Sequence, residues 1–124
     1  MTWEPYLTDE VDAWLEELAA SDVDSYRQVV AGIEVLAVGG PSLGRPLVDG
    51  FRGSKLHGMK EARPGSGGTT EIRVLFVFDP WRSAILLVGG DKSGDWPRWY
   101  RTAIPRAERL YEEILDERAT DEEA

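Results

Sequence analysis

Apolar residues recur at helical spacing through the first third of the chain, a pattern typical of amphipathic helices. The first predicted helix covers residues 9–20, with Thr8 as its N-cap and acidic residues in its first turn. The second is expected to begin at Ser21 and to stop at Gly39-Gly40-Pro41. Their apolar stripes are Val11, Trp14, Leu15, Leu18 and Ala19, then Tyr26, Val29, Val30, Ile33, Leu36 and Ala37. Together they predict a helical hairpin.

Two longer apolar segments in the middle of the chain predict the main strands of a sheet. The segment Glu71–Asp79 alternates between two faces and contains one interior charge, Arg73. The segment Ala84–Val88 is continuously apolar and is bounded by Gly89-Gly90. Such a run is expected of a central strand that is covered on both faces.

Two weaker strands are predicted at Met59–Arg63 and at Trp3–Tyr6. The second belongs at an edge of the sheet, because Pro5 has no N–H to donate to a neighbouring strand. Residues 41–54, which are rich in Gly and Pro, are interpreted as a loop.

Helical spacing returns at Trp96 and continues towards the end of the chain. Pro105 interrupts it and predicts either a kink or two consecutive helices, since proline removes a helical hydrogen bond. The chain is expected to fray beyond Asp116. At 124 residues it is too short for two independent cores. We therefore expect one α+β domain over residues 1–118, followed by an acidic, disordered tail over 119–124.

Charged residues are unevenly distributed along the chain, so the net charge of -9 does not describe every segment of it. Residues 45–109 hold twelve of the 14 Lys and Arg residues but only seven of the 23 Asp and Glu residues. A polyanion partner, which the total charge disfavours, is therefore compatible with this middle segment. The absence of cysteine, of an apparent export signal and of a long apolar segment predicts a cytoplasmic protein without a membrane partner.

Several enzyme classes lack the residues that they need. A serine hydrolase would have to use the single histidine, His57, and no G-x-S-x-G sequence is present. Zinc enzymes and nucleotide-binding enzymes also lack their motifs, and no cofactor is expected. A carboxylate-bound Mg²⁺ nuclease stays open through Asp79 and Asp91, although turn roles are commoner for such residues.

A set of basic residues lies on or beside the predicted strands: Lys55, Lys60, Arg63, Arg73 and Lys92. Arg73 interrupts an apolar strand, so it either forms a salt bridge with Glu61 or Glu71 or lines an open concave site. Glu61 and Arg63 lie two residues apart and share a strand face.

Such a cluster suits metal-independent RNA cleavage, in which cations hold the phosphate while the 2'-hydroxyl attacks it. Glu61 is a candidate base, or alternatively a salt-bridge partner that orients Arg73. Lys92 or His57 is a candidate acid, although His57 also fits an exposed loop position. Lys55, His57 and Lys60 are candidate RNA-binding residues, and no metal site is predicted.

Three motifs follow one another in the sheet region: Leu56-His57-Gly58-Met59-Lys60-Glu61-Ala62-Arg63, then Glu71-Ile72-Arg73-Val74-Leu75-Phe76, then Leu86-Leu87-Val88-Gly89-Gly90-Asp91-Lys92. In order and spacing they resemble the phage-derived HigB-like toxins of the RelE/ParE superfamily, over roughly residues 3–115. The resemblance places the family's catalytic positions at Glu61, Arg63, Arg73 and Lys92.

The resemblance implies a RelE-like fold, with a helical hairpin and a C-terminal helix packed on a twisted, mainly antiparallel sheet. It also implies mRNA cleavage on the translating ribosome and a helix-turn-helix antitoxin of the HigA type. Two other functions fit the same fold: ParE-like inhibition of DNA gyrase, and RNA or antitoxin binding without catalysis. The basic residues on the strands favour the nuclease.

Overall fold

A five-stranded sheet forms the middle layer of the protein in the computed structural model, which describes residues 2–50, 53–56, 58–65 and 70–123. Its strands are β1 (Glu4–Leu7), β2 (Val48–Gly50), β3 (Lys60–Ala62), β4 (Ile72–Phe78) and β5 (Ser83–Asp91). The helices are α1 (Asp9–Ser21), α2 (Val23–Gly39) and α3 (Trp96–Glu123), and a short 3-10 helix, Gly40–Ser42, follows α2. The strand order is β1-β5-β4-β3-β2.

Most of the sheet is antiparallel, as predicted. Strand β1 is the exception, because it pairs with β5 in parallel at one edge, where Pro5 is tolerated. The pairs β2–β3, β3–β4 and β4–β5 are antiparallel. The α+β class and the RelE-like arrangement are thus confirmed.

The helical hairpin forms as its polar boundary residues predict. Thr8 caps α1 by accepting a hydrogen bond from the Val11 N–H, and its hydroxyl donates to the Leu87 carbonyl of β5. The boundary with α2 falls one residue later than predicted, at Asp22 rather than Ser21. The Asp22 N–H closes α1 on the Leu18 carbonyl, and its carboxylate caps α2 through the Ser25 N–H.

The two faces of the sheet carry different helices. Alternate residues of β4, among them Val74 and Phe76, join the core beneath α1 and α2. Leu75 and Val77 point the other way and pack in a second core with Ala103 and Ala107 of α3. Helices on both faces explain why β5 is almost continuously apolar.

Strand β5 is longer than predicted, because it continues through the two glycines that were expected to end it. At Gly89 an added Cβ would fall within 3 Å of the Trp14 ring, and at Gly90 it would collide with Trp99. These glycines therefore let two indole rings approach the strand backbone from the two helical layers.

Residues 41–54 are not entirely a loop, and this prediction was wrong at β2. Val48 is buried and pairs with Ala62, while Asp49 pairs with Glu61. Three residues are too few to give a periodic signal among the surrounding glycines and prolines.

The C-terminal segment is one helix rather than two, with Pro105 inside it. It also continues past Asp116, where fraying was expected. Packing against the sheet supports it, since Arg118 bridges to the buried carboxylate of Asp79 at 3.1 Å. No helix in the described part of the chain is long and apolar enough to cross a membrane.

Candidate functional site

A buried carboxylate, Glu61, forms the centre of a polar cluster on the α3 face of the sheet. Its side chain is 1% exposed. Its Oε2 lies 3.1 Å from Arg63 Nε, and its Oε1 lies 3.8 Å from Arg73 Nε. The Tyr100 hydroxyl donates a hydrogen bond to Oε1. Both carboxylate oxygens are therefore engaged by neighbouring groups.

Strand register brings these groups together. Glu61 of β3 pairs with Leu75 of β4, two residues from Arg73, so Glu61 and Arg73 share a sheet face. Arg73 in turn lies opposite Gly90 of β5, which has no side chain of its own and is covered by the Trp99 ring. The sequence left Glu61 and Glu71 as possible salt-bridge partners of Arg73, and the structure pairs Arg73 with Glu61.

Arg73 is held deeply, with 15% of its side chain exposed. Its Nη1 donates to the Ile72 carbonyl at 2.7 Å. Its buried Nε makes no hydrogen bond within the described residues, because Glu61 Oε1 is too distant. The cluster therefore contains a buried guanidinium N–H that lacks an acceptor among the described residues.

Arg63 is held on one side and open on the other, since 38% of its side chain is exposed. Besides Glu61 it contacts Asp49, whose Oδ2 lies 3.3 Å from Nη2. Burial by itself would lower the pKa of Arg63, but the hydrogen bond and charge of Glu61 and the charge of Asp49 raise it. The guanidinium is therefore a fixed cation with an accessible edge.

Tyr100 is a member of the cluster that the sequence did not predict. It lies in the first turns of α3, beside Trp99, in a segment for which the sequence indicated only helical spacing. Burial, followed by the hydrogen bond to Glu61 and the charge of Glu61, raises the pKa of its hydroxyl well above the usual value. At neutral pH it is a neutral hydrogen-bond donor. Only the register of α3 on the sheet reveals this contact.

Lys92 joins the cluster through the same tyrosine. It follows β5 directly, and its Nζ lies 5.8 Å from the centre of the Tyr100 ring. Lys55 lines a groove together with Tyr100, Arg101 and Ile104 of α3. The backbone N–H of Lys55 is bound by the Glu108 carboxylate, which fixes this part of the chain to α3.

Lys60 does not belong to this cluster, and its prediction as an RNA-binding residue finds no support in its position. Because it adjoins Glu61 in β3, it points to the opposite sheet face. Its Nζ lies 3.4 Å from the Pro41 carbonyl and 5.5 Å from the centre of the Phe78 ring. His57, another candidate RNA-binding residue, lies outside the described residues.

The two aspartates considered as metal ligands have turn roles. Asp79 accepts hydrogen bonds from the N–H groups of Trp81 and Ser83 and pairs with Arg118. Asp91 accepts from the N–H groups of Glu71 and Ser93. Burial alone would raise the pKa of Asp91, but these hydrogen bonds lower it. Within the described residues no three carboxylate, His or Cys side chains form a group able to hold a metal ion.

The helices on both faces of the mixed sheet, with a Glu-Arg-Arg cluster on one face, define a small α+β protein of the RelE type. Residues 16–112 match the model of the family described as "Phage derived protein Gp49-like (DUF891)". The chain belongs to this family, and its resemblance to HigB-like toxins is confirmed.

Two curated relatives from Mycobacterium tuberculosis strain H37Rv support the assignment. "Putative toxin HigB2" is 49% identical over 107 residues, which are 86% of this chain and 52% of the relative. "Putative toxin HigB3" is 46% identical over 109 residues, which are 88% of this chain and 90% of the relative. The chain thus spans about half the length of HigB2 but most of HigB3. No solved structure matches the chain significantly.

Proposed function

We propose that this protein is the toxin of a toxin-antitoxin pair and that it cleaves RNA without a metal ion. The names of both relatives support the first part. The second part rests on one observation, the fixed Arg63 guanidinium. The Glu61 and Asp49 carboxylates hold it at Nε and Nη2, and 38% of its side chain is accessible.

In the proposed reaction the 2'-hydroxyl of RNA loses its proton to solvent water and its oxygen bonds to the adjacent phosphorus. The bond from phosphorus to the 5'-oxygen breaks, and this oxygen gains a proton from Lys92. Arg63 binds the phosphate, and the positive charge of Arg73 behind it helps to stabilise the charge that develops there. The reaction needs no group beyond these side chains, water and the RNA.

Glu61 has a positioning role in this proposal. A general base must reach the hydroxyl whose proton it removes, within about 3.2 Å. Glu61 is almost wholly buried, and Arg63 and Tyr100 occupy its oxygens. We therefore assign it to holding the two guanidinium groups rather than to proton transfer.

The partners that follow are mRNA on the translating ribosome, in the cytoplasm, and a helix-turn-helix antitoxin of the HigA type. The charge of the chain fits this division, because its basic residues are concentrated between positions 45 and 109. An RNA substrate therefore meets the least acidic part of the protein.

The test is cleavage of mRNA by the purified protein, with and without translating ribosomes and with excess EDTA. We expect cleavage to survive EDTA, and Arg63→Ala and Arg73→Ala to lower the rate by roughly 100-fold or more while circular dichroism shows a retained fold. Arg27→Ala is the matched control, because it removes an exposed arginine from α2 on the other side of the sheet.

Two results would contradict the proposal. One is cleavage that EDTA abolishes and Mg²⁺ restores, which would indicate a metal nuclease. The other is arrest of DNA replication before translation when the protein is expressed, which would indicate gyrase inhibition.

A further inference from the structure

Trp96 is the most exposed of the five tryptophans, followed by Trp81 at 38%, while the other three are more deeply packed. The accessibility of Trp96 is 58%, although it stands at the start of a helix that is otherwise well anchored. Each of the other four tryptophans packs against a glycine, an aromatic ring or an arginine: Trp14 against Gly89, Trp99 against Gly90, Trp3 against Phe78 and Arg82, and Trp81 against Arg118.

The backbone fixes the position of Trp96 despite this exposure. Asp95 caps the start of α3 by accepting a hydrogen bond from the Arg98 N–H at 3.2 Å. Pro97 then occupies a first-turn position, where its missing N–H has no helical partner to lose. The indole is therefore carried by a rigid helix end.

Trp96 also stands directly beside the candidate site. Its ring centre lies 6.2 Å from that of Tyr100, one helical turn further on, in an edge-on arrangement. Lys92 Nζ lies about equally far from both rings, 6.0 Å from the centre of Trp96 and 5.8 Å from that of Tyr100. The exposed indole and the cation are therefore both neighbours of Tyr100, which donates a hydrogen bond to Glu61.

We propose that Trp96 stacks on a nucleobase of the RNA next to the phosphate bound by Arg63 and Lys92. The inference rests on the proposed ribonuclease function and assigns to that site a base-binding position. Stacking on an aromatic side chain suits a single strand, because every base offers a π face whatever its identity. Lys92, beside the ring, places a positive charge where the phosphate next to a stacked base would lie.

The experiment measures binding of a ten-nucleotide RNA in which 2'-deoxy sugars prevent cleavage, both free and on ribosomes programmed with it. Trp96→Ala is expected to weaken binding by roughly 5- to 100-fold, the usual effect of losing one stacked base. Trp96→Phe should recover most of this loss. Trp81→Ala is the matched control, because it removes a partly exposed indole just before the other end of β5, a strand about 27 Å long.

A series of the same RNA with one base removed at each position identifies the stacked base. Removal at one position should weaken binding to the wild-type protein and have no further effect on Trp96→Ala, since both changes delete the same contact. Unchanged binding by Trp96→Ala, or additive losses at every position, would overturn the inference while leaving the ribonuclease function intact. A wild-type protein that neither binds nor cleaves RNA would refute the proposed function and this inference with it.

Discussion

Replacing Glu61 by glutamine separates the two roles that this residue could have at the site. The amide keeps the shape of the carboxylate but has one acceptor oxygen in place of two. If that oxygen accepts a hydrogen bond from Arg63, the NH₂ of the amide must face Arg73 and Tyr100. If it faces Tyr100 and Arg73, its NH₂ opposes the Arg63 Nε–H. Either the Tyr100 hydroxyl or the Arg63 guanidinium therefore loses its acceptor, and both guanidinium groups lose the negative charge that they face.

The cost follows from the burial of these groups. Removing one partner of a buried ion pair costs about 3–5 kcal/mol, and a hydrogen bond to a charged group is worth about 1.5–3 kcal/mol. Glutamine retains part of the contacts, and solvent screens the partly exposed Arg63. We therefore expect Glu61→Gln to lower the free energy of unfolding by about 2–3 kcal/mol, measured by urea denaturation.

The rate of cleavage then decides the role. As a positioning residue, Glu61 can be replaced by glutamine with roughly a tenfold loss that is uniform across pH, measured under single-turnover conditions. As a general base it would contribute a low-pH limb to the rate profile. Loss of that limb together with a drop of roughly 100-fold or more would refute the positioning role.

Two further predictions concern packing and proton binding. Gly89→Ala should destabilise the protein by about 1–3 kcal/mol in urea unfolding, because the new methyl collides with Trp14. Gly50→Ala, whose methyl would meet no atom within 4 Å, is the control and should be neutral. The raised pKa of Tyr100 means that the folded state favours the neutral phenol, so stability should fall as pH rises above about 10. Tyr100→Phe should reduce this loss of stability. It should also remove one of two steps at high pH in the tyrosinate absorbance titration. The other step belongs to Tyr111, because burial raises the pKa of that residue as well.

Local rules were sufficient for the elements that have strong periodicity. The cap of α1 at Thr8, the alternation of β4 and the edge position of β1 all follow from the chemistry of single residues. Such features depend on residues that are close along the chain, and the sequence displays these directly. Glu61, Arg63, Arg73 and Lys92 are far apart along the chain, and the resemblance of the three sheet motifs to HigB-like toxins grouped them.

The tertiary structure decided what depends on residues far apart in the chain. Packing of Trp14 and Trp99 kept Gly89 and Gly90 within β5, and the Asp79–Arg118 bridge supports α3 beyond the expected point of fraying. The position of α3 on the sheet brought the Tyr100 hydroxyl to the buried carboxylate of Glu61. No local pattern encodes these contacts, because each forms only when a strand and a distant helix adopt one register.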